Sequence, residues 1–320
     1  MSDVMIEARA LTKHYGPIHA LDDASFEVRR GEVLGFLGPN GAGKTTTMKI
    51  LTCFIAPTSG TALIGGVDVF DDPLEVRRMV GYLPETTPLY TDMRVLEYLD
   101  FVAKMRGFNH ADGRKRIQKV VEETSLSEVI GQEIRSLSKG FRQRVGLAQA
   151  LVHEPPILIL DEPLSGLDPN QAAEIRELVR QIGRERTIIL STHNLPEVQM
   201  TCGRVLIVSR GKIVANDTPD ELKARAGKPH YLVTVRAGAD GAAPPMHAAI
   251  ERVGGVERVA ASSASEPGEV VFEVTPSDSK DLRPELFRAA VDSGTVLLGL
   301  ERRGEDLEQV FRQLTTKGDA

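Results

Sequence analysis

Glycines, a lysine and a hydroxyl fall at the spacing G-x-x-x-x-G-K-[ST] in Gly38-Pro39-Asn40-Gly41-Ala42-Gly43-Lys44-Thr45, and together they can grip phosphate. The glycines let the backbone curl until successive N–H groups point inward at phosphate oxygens, while Lys44 brings a full positive charge. A helix opening at Thr45 and Thr46 adds the partial positive charge of its free amides. The Thr45 hydroxyl is the type of group that ligates magnesium beside a nucleoside triphosphate. Further along, Ile157-Leu158-Ile159-Leu160-Asp161-Glu162 sets four aliphatic residues before two acids. Alone, this is a buried strand ending at a solvated turn. Paired with a phosphate loop, it brings Asp161 beside the magnesium, through water, and Glu162 to the water that attacks the γ-phosphate.

The elements that must position these groups are legible around them. Val33, Leu34, Phe36 and Leu37 form an apolar strand directly before the loop. Residues 1–226 alternate apolar strands with helical patterns, which predicts an α/β core. Strands are expected at Ile6–Leu11, Ala24–Val28, Ile157–Leu160, Thr187–Leu190 and Val205–Ser209. The stretch from Thr91 to about Arg135 reads as mostly helical, with Val95, Leu99 and Val102 on one face. Composition shifts near Ala226-Gly227-Lys228-Pro229, and residues 230–320 form a second unit. Its order of a strand at Tyr231–Val235, a helix through Met246, Ala249, Ile250 and Val253, strands at Val256–Ala260 and Val270–Val274, a helix through Leu286, Phe287, Ala290 and Val291, a strand at Val296–Leu300 and a last helix through Leu307, Val310, Phe311 and Leu314 predicts a small ferredoxin-like α+β domain.

Bulk properties exclude several classes. A formal net charge of −6 and a pI of about 5.7 lack the footprint of a nucleic-acid binder, so no nucleic-acid partner is expected. Cys53 and Cys202 have no metal-type spacing and read as reduced thiols. The acidic N-terminal residues do not resemble a signal peptide, and no apolar run approaches the ~20 residues of a membrane span. The chain is expected to be soluble on its own.

Leu137-Ser138-Lys139-Gly140-Phe141-Arg142-Gln143 lies between the two phosphate motifs and resembles the signature L-S-x-G-x-x-Q of the ATP-binding cassette (ABC) ATPases. Ser165-Gly166-Leu167-Asp168 is similar to their D-loop, and Ser191-Thr192-His193 to the segment with the switch histidine. Tyr15 matches the aromatic that stacks on adenine. Glu85, in Gly81-Tyr82-Leu83-Pro84-Glu85, departs from the pattern, because most of the superfamily has the Q-loop glutamine there. With Lys139 in the signature and the α+β unit behind, the chain resembles the ATPase subunits of gliding-motility and multidrug-type bacterial exporters.

The resemblance implies a P-loop NTPase cassette with a helical signature subdomain, binding ATP and Mg2+. It implies catalytic roles for Lys44, Glu162 and His193. Nucleotide contacts are implied for Tyr15, Gly38, Pro39, Asn40, Gly41, Ala42, Gly43, Lys44, Thr45, Thr46, Glu85, Ser138, Gly140 and Asp168, and metal contacts for Thr45, Asp161 and Glu85. Because family members complete each ATP site with the partner's signature, a homodimer is implied. A separate transmembrane permease, contacted near Pro88, Leu89 and Tyr90, and a peripheral place on the cytoplasmic face of the membrane follow from the same resemblance. Two other readings stay open at this stage: a soluble ABC ATPase outside transport, and an ATP-regulated binding module.

Overall fold

The computed structural model describes residues 3–224, 230–237, 244–262, 268–278, 280–303 and 307–316. By contacts the chain divides into one unit of Met1–Pro219 with Leu314–Ala320 and another of Asp220–Gln313. The boundary expected near Ala226-Gly227-Lys228-Pro229 lies outside the described residues.

The first unit opens with a long antiparallel hairpin, β1 (Val4–Tyr15) and β2 (Ile18–Arg29), in which Tyr15 faces Ile18 at the tip. The central strand β3 (Val33–Leu37) then runs into α1 (Lys44–Leu51). Next come β4 (Ser59–Ile64), β5 (Val67–Asp68), α2 (Pro73–Met79) and β6 (Val80–Leu83). The predicted helical stretch is two helices, α3 (Val95–Met105) and α4 (His110–Glu123), separated at Gly107 (φ 86°) and restarted by the Asn109 cap. Two 3₁₀ turns, Ser127–Val129 and Ile134–Ser136, lead to α5 (Lys139–Leu151). The remainder is β7 (Ile157–Asp161), α6 (Pro169–Gly183), β8 (Thr187–Thr192), α7 (Leu195–Thr201), β9 (Arg204–Ser209), β10 (Lys212–Asp217) and α8 (Pro219–Ala224), whose first residue closes this unit.

Two sheets result, in the orders β2-β1-β4-β5 and β10-β9-β3-β8-β7-β6. In the larger one β9, β3, β8, β7 and β6 run parallel, and β10 adds an antiparallel edge. Parallel strands covered on both faces read as unbroken aliphatic runs, as Ile157-Leu158-Ile159-Leu160 does, and these four side chains are fully buried. Each contributes about 1.5–3 kcal/mol relative to exposure. The phosphate-binding and acidic motifs therefore leave the same, carboxyl edge of one rigid sheet, where α/β folds place their ligands.

The second unit contains β11 (His230–Arg236), α9 (Pro244–Glu251), β12 (Val256–Ser262), β13 (Glu269–Pro276), α10 (Arg283–Asp292), β14 (Leu297–Arg303) and α11 (Leu307–Thr316). Its antiparallel sheet has the order β12-β13-β11-β14, the ferredoxin-like arrangement. Tyr231 is wholly buried, yet its phenol donates to Lys280 O (3.1 Å) and accepts from Leu282 N (3.0 Å). In α10 the buried stripe is Leu286, Ala289 and Ala290, whereas Phe287 and Val291 are exposed. Helical spacing marked Leu286, Phe287, Ala290 and Val291; packing kept Leu286 and Ala290, added Ala289, and left Phe287 and Val291 outside.

Candidate active site

The phosphate loop leaves no room for a side chain at Gly38 or Gly43. A side chain at Gly38 would run into Val208 O, and one at Gly43 into Ala20 O. Gly43 caps α1 at φ 108°, a conformation open to glycine, with no side-chain cap and no acid in the first turn. The opening amides of α1 are thus left to face an anion. Lys44 is 6% exposed, and its ammonium donates to Gly38 O (2.7 Å) and Pro39 O (3.3 Å).

Asp161 and Glu162 leave β7 in different ways. Asp161 is fully buried, takes a short hydrogen bond from the Ser191 hydroxyl at Oδ1, and keeps Oδ2 without a partner among the described residues. Glu162 adopts φ 49°, the left-handed region that a non-glycine residue enters at a cost of roughly 1–3 kcal/mol. Its N–H is held by Ser191 O and Oγ, both at 3.1 Å. The turn aims its carboxylate at Lys44 Nζ, 3.4 Å from Oε1, and at His193 Nδ1, 3.0 Å from both oxygens. Glu162 is 6% exposed, while the His193 ring is about half exposed.

The arrangement fits a divalent cation. Glu162 has the Lys44 ammonium beside it, but the orphaned Oδ2 of buried Asp161 needs a partner of positive character or a water held by one. The described residues contain no cluster of three or more His, Cys, Asp or Glu that could cage a metal. Magnesium needs no such cage when substrate phosphates supply ligands.

Lys44, Glu162 and His193 therefore meet directly, with Asp161 held to the next strand through Ser191. Ser138 caps α5, accepting from Phe141 N (3.3 Å), and its neighbours Lys139 and Gly140 pack on Gly166 and Gln171. Asp168 caps α6 through Asn170 N and Gln171 N, both at 3.0 Å. Signature and D-loop are thus one assembly within the chain, joined to the Lys44 cluster where Ser165 N donates to Glu162 O at 3.1 Å. Tyr15 stands about half exposed at the hairpin tip, with Lys13 Nζ 5.2 Å from the ring centre. Glu85 is exposed in the turn after β6. Two residues later, Thr87 bonds Gln143 of the signature helix at 3.2 Å.

Sequence reasoning gave no role to Ser191, Thr192, Thr87, Tyr82 or Glu197. The Tyr82 phenol is buried without a partner among the described residues, and burial, then the charges of Asp161 and Glu85, push its pKa up. Position alone could have flagged Ser191 and Thr192, which immediately precede His193, and Glu197, one helical turn after it.

The family model for ABC transporters matches residues 21–165. YxlF of Bacillus subtilis, an uncharacterized ABC transporter ATP-binding protein, is 31% identical over 96% of this chain and 98% of its own. The linearmycin resistance ATP-binding protein LnrL of the same organism is 30% identical over 97% and 98%. The probable multidrug ABC transporter ATP-binding protein YbhF of Escherichia coli is 38% identical over 70% of this chain, which spans only 39% of YbhF. Among solved structures, cbiO1 from Clostridium perfringens, part of the transporter complex cbiONQ, superposes with a TM-score of 0.65 at 29% identity, covering 70% of this chain and 92% of that one. The post-hydrolysis dimer of the cassette MJ0796, bound to ADP and Pi, shares the fold at 24% identity and a TM-score of 0.61, covering 67% and 98%. Near-complete alignment with YxlF and LnrL, on a sheet edge shaped for phosphate, settles the lineage: the chain belongs to the family of ABC transporter ATP-binding proteins.

Proposed function

We propose that this chain is the ATP-hydrolysing subunit of a drug-type exporter, working as a homodimer on a separate membrane permease. The observation that carries the reading is the Glu162 carboxylate. It is buried, bent out of β7 by left-handed backbone, and set between Lys44 and His193. A carboxylate so placed takes the proton from water as that water attacks the γ-phosphate, and His193 fixes its orientation. Lys44 turns from the loop carbonyls to the β- and γ-phosphates, supported by the α1 amides. Thr45 and Asp161 would hold magnesium, which would supply charge neutralisation at the phosphates. Tyr15 stacks on the base.

Ser138 and Gly140 open a helix whose first turn is capped on Phe141 and packs on Gln171 rather than on Lys44, which supports a site completed across two copies. Transport is supported by relatives named for multidrug, linearmycin and daunorubicin resistance. No described helix is long and apolar enough to cross a membrane. The Asp220–Gln313 unit tunes dimer stability or partner choice. The test is Glu162→Gln: ATP affinity stays within twofold while turnover falls by about 10²–10⁴-fold. Wild-type turnover in that variant removes Glu162 from the chemistry.

A further inference from the structure

Thr192 ends β8 immediately before His193, and both faces of its hydroxyl are occupied. It donates to Glu197 Oε2 at 2.6 Å and accepts from Asn194 N at 3.0 Å. A hydroxyl has one proton to aim. Because the Glu197 carboxylate takes that proton, a lone pair is left to hold the Asn194 amide on the far side of His193. Asn194 caps α7 without a side-chain bond of its own, so the start of this helix depends on Thr192. Glu197 lies in the first turn of α7, where a carboxylate also meets the helix amides favourably.

The surroundings argue for more than a helix cap. Burial and the charge of Glu162 push the Glu197 pKa up, while Thr192, His193 and Arg176 of α6 pull it down. The Glu197 hydrogen bond nevertheless goes to Thr192, and the His193 ring bonds Glu162.

We propose that Glu197 is a positioning residue for ATP hydrolysis: by orienting Thr192 it locks the turn that holds His193 against Glu162. The proposal rests on the ATPase reading above and goes beyond it. Glu197→Ala frees the Thr192 hydroxyl to rotate and releases Asn194, so kcat falls by about tenfold, a barrier change of ~1.4 kcal/mol, with ATP affinity within about twofold of wild type. Glu197→Gln keeps an acceptor oxygen and restores kcat to within about twofold. Thr192→Val removes the same link and matches Glu197→Ala, which carries the test if the latter fails to fold.

On a His193→Ala background, in single-turnover assays, Glu197→Ala changes the rate less than twofold, as expected of two residues acting through one another. The Cε1 resonance of His193 moves in Glu197→Ala but not in Glu197→Gln, a readout independent of turnover. Equal impairment of the Ala and Gln variants overturns the proposal, as does a full-sized Glu197→Ala effect on the His193→Ala background. A wild-type chain that does not hydrolyse ATP counts against the ATPase reading; normal hydrolysis by Glu197→Ala counts against the lock alone.

Discussion

Acidification should loosen the joint between the signature helix and the strand before Glu85, because a buried histidine bonds across it. His153 follows α5 and donates from Nε2 to Val80 O at the start of β6 (3.1 Å), with Nδ1 buried and unpartnered among the described residues. Burial, then the charges of Arg106 and Arg116, push its pKa down to about 4 from 6.5, against the upward pull of the Val80 bond. Between these values the unfolded chain binds a proton that the fold excludes, so stability is complete above pH 6.5 and drains away towards pH 4. At 1.36 kcal/mol per unit, the loss is about 2 kcal/mol at pH 5 and about 3 kcal/mol at pH 4. In a unit of this size, 2 kcal/mol corresponds to roughly 4–8 °C in Tm. His153→Gln keeps an N–H for Val80 O and cannot titrate. Thermal melts of both chains at pH 7.5 and pH 5 share every carboxylate, so their difference isolates His153. The wild type should lose those extra degrees, and equal losses in the two chains would refute the reasoning.

Other perturbations separate binding from assembly and chemistry. Lys44→Ala removes the ammonium beside Glu162 and should weaken ATP binding at least about tenfold, or 1.4 kcal/mol, by fluorescent-nucleotide titration. Ser138→Arg should leave ATP binding to the monomer intact, cost about 1 kcal/mol of α5 capping, and abolish the ATP-dependent dimer in light scattering. Glu85→Gln should stay within about tenfold of wild-type turnover while its magnesium dependence shifts, since an exposed carboxylate becomes a neutral amide. An unchanged magnesium titration would return Glu85 to an ordinary loop acid.

Much of the site was legible because its parts obey strict local rules. A phosphate loop needs glycine where Val208 O and Ala20 O leave no room for a side chain, and central parallel strands must be aliphatic throughout. The strands at Ile157–Leu160 and Thr187–Leu190 were readable for that reason, and each runs one or two residues further, to Asp161 and Thr192. β4, which opens on Ser59-Gly60-Thr61, and the two-residue edge strand β5 carried no such run. Nor does a left-handed turn at an acid leave a trace in composition, so the bend that aims Glu162 emerged only in three dimensions. The Thr192–Glu197 bond and the His153–Val80 bond were hidden likewise, since each depends on a side-chain direction rather than on periodicity.

The sharpest measurement is the mass of Glu162→Gln by analytical ultracentrifugation, with and without ATP and Mg2+. A buried base lost while Lys44 and the α1 amides remain should trap a dimer holding one ATP per chain, while the wild type hydrolyses its nucleotide and returns to monomer. A Glu162→Gln chain that stays monomeric at saturating ATP, or that hydrolyses ATP at the wild-type rate, would contradict a shared site with Glu162 as its base.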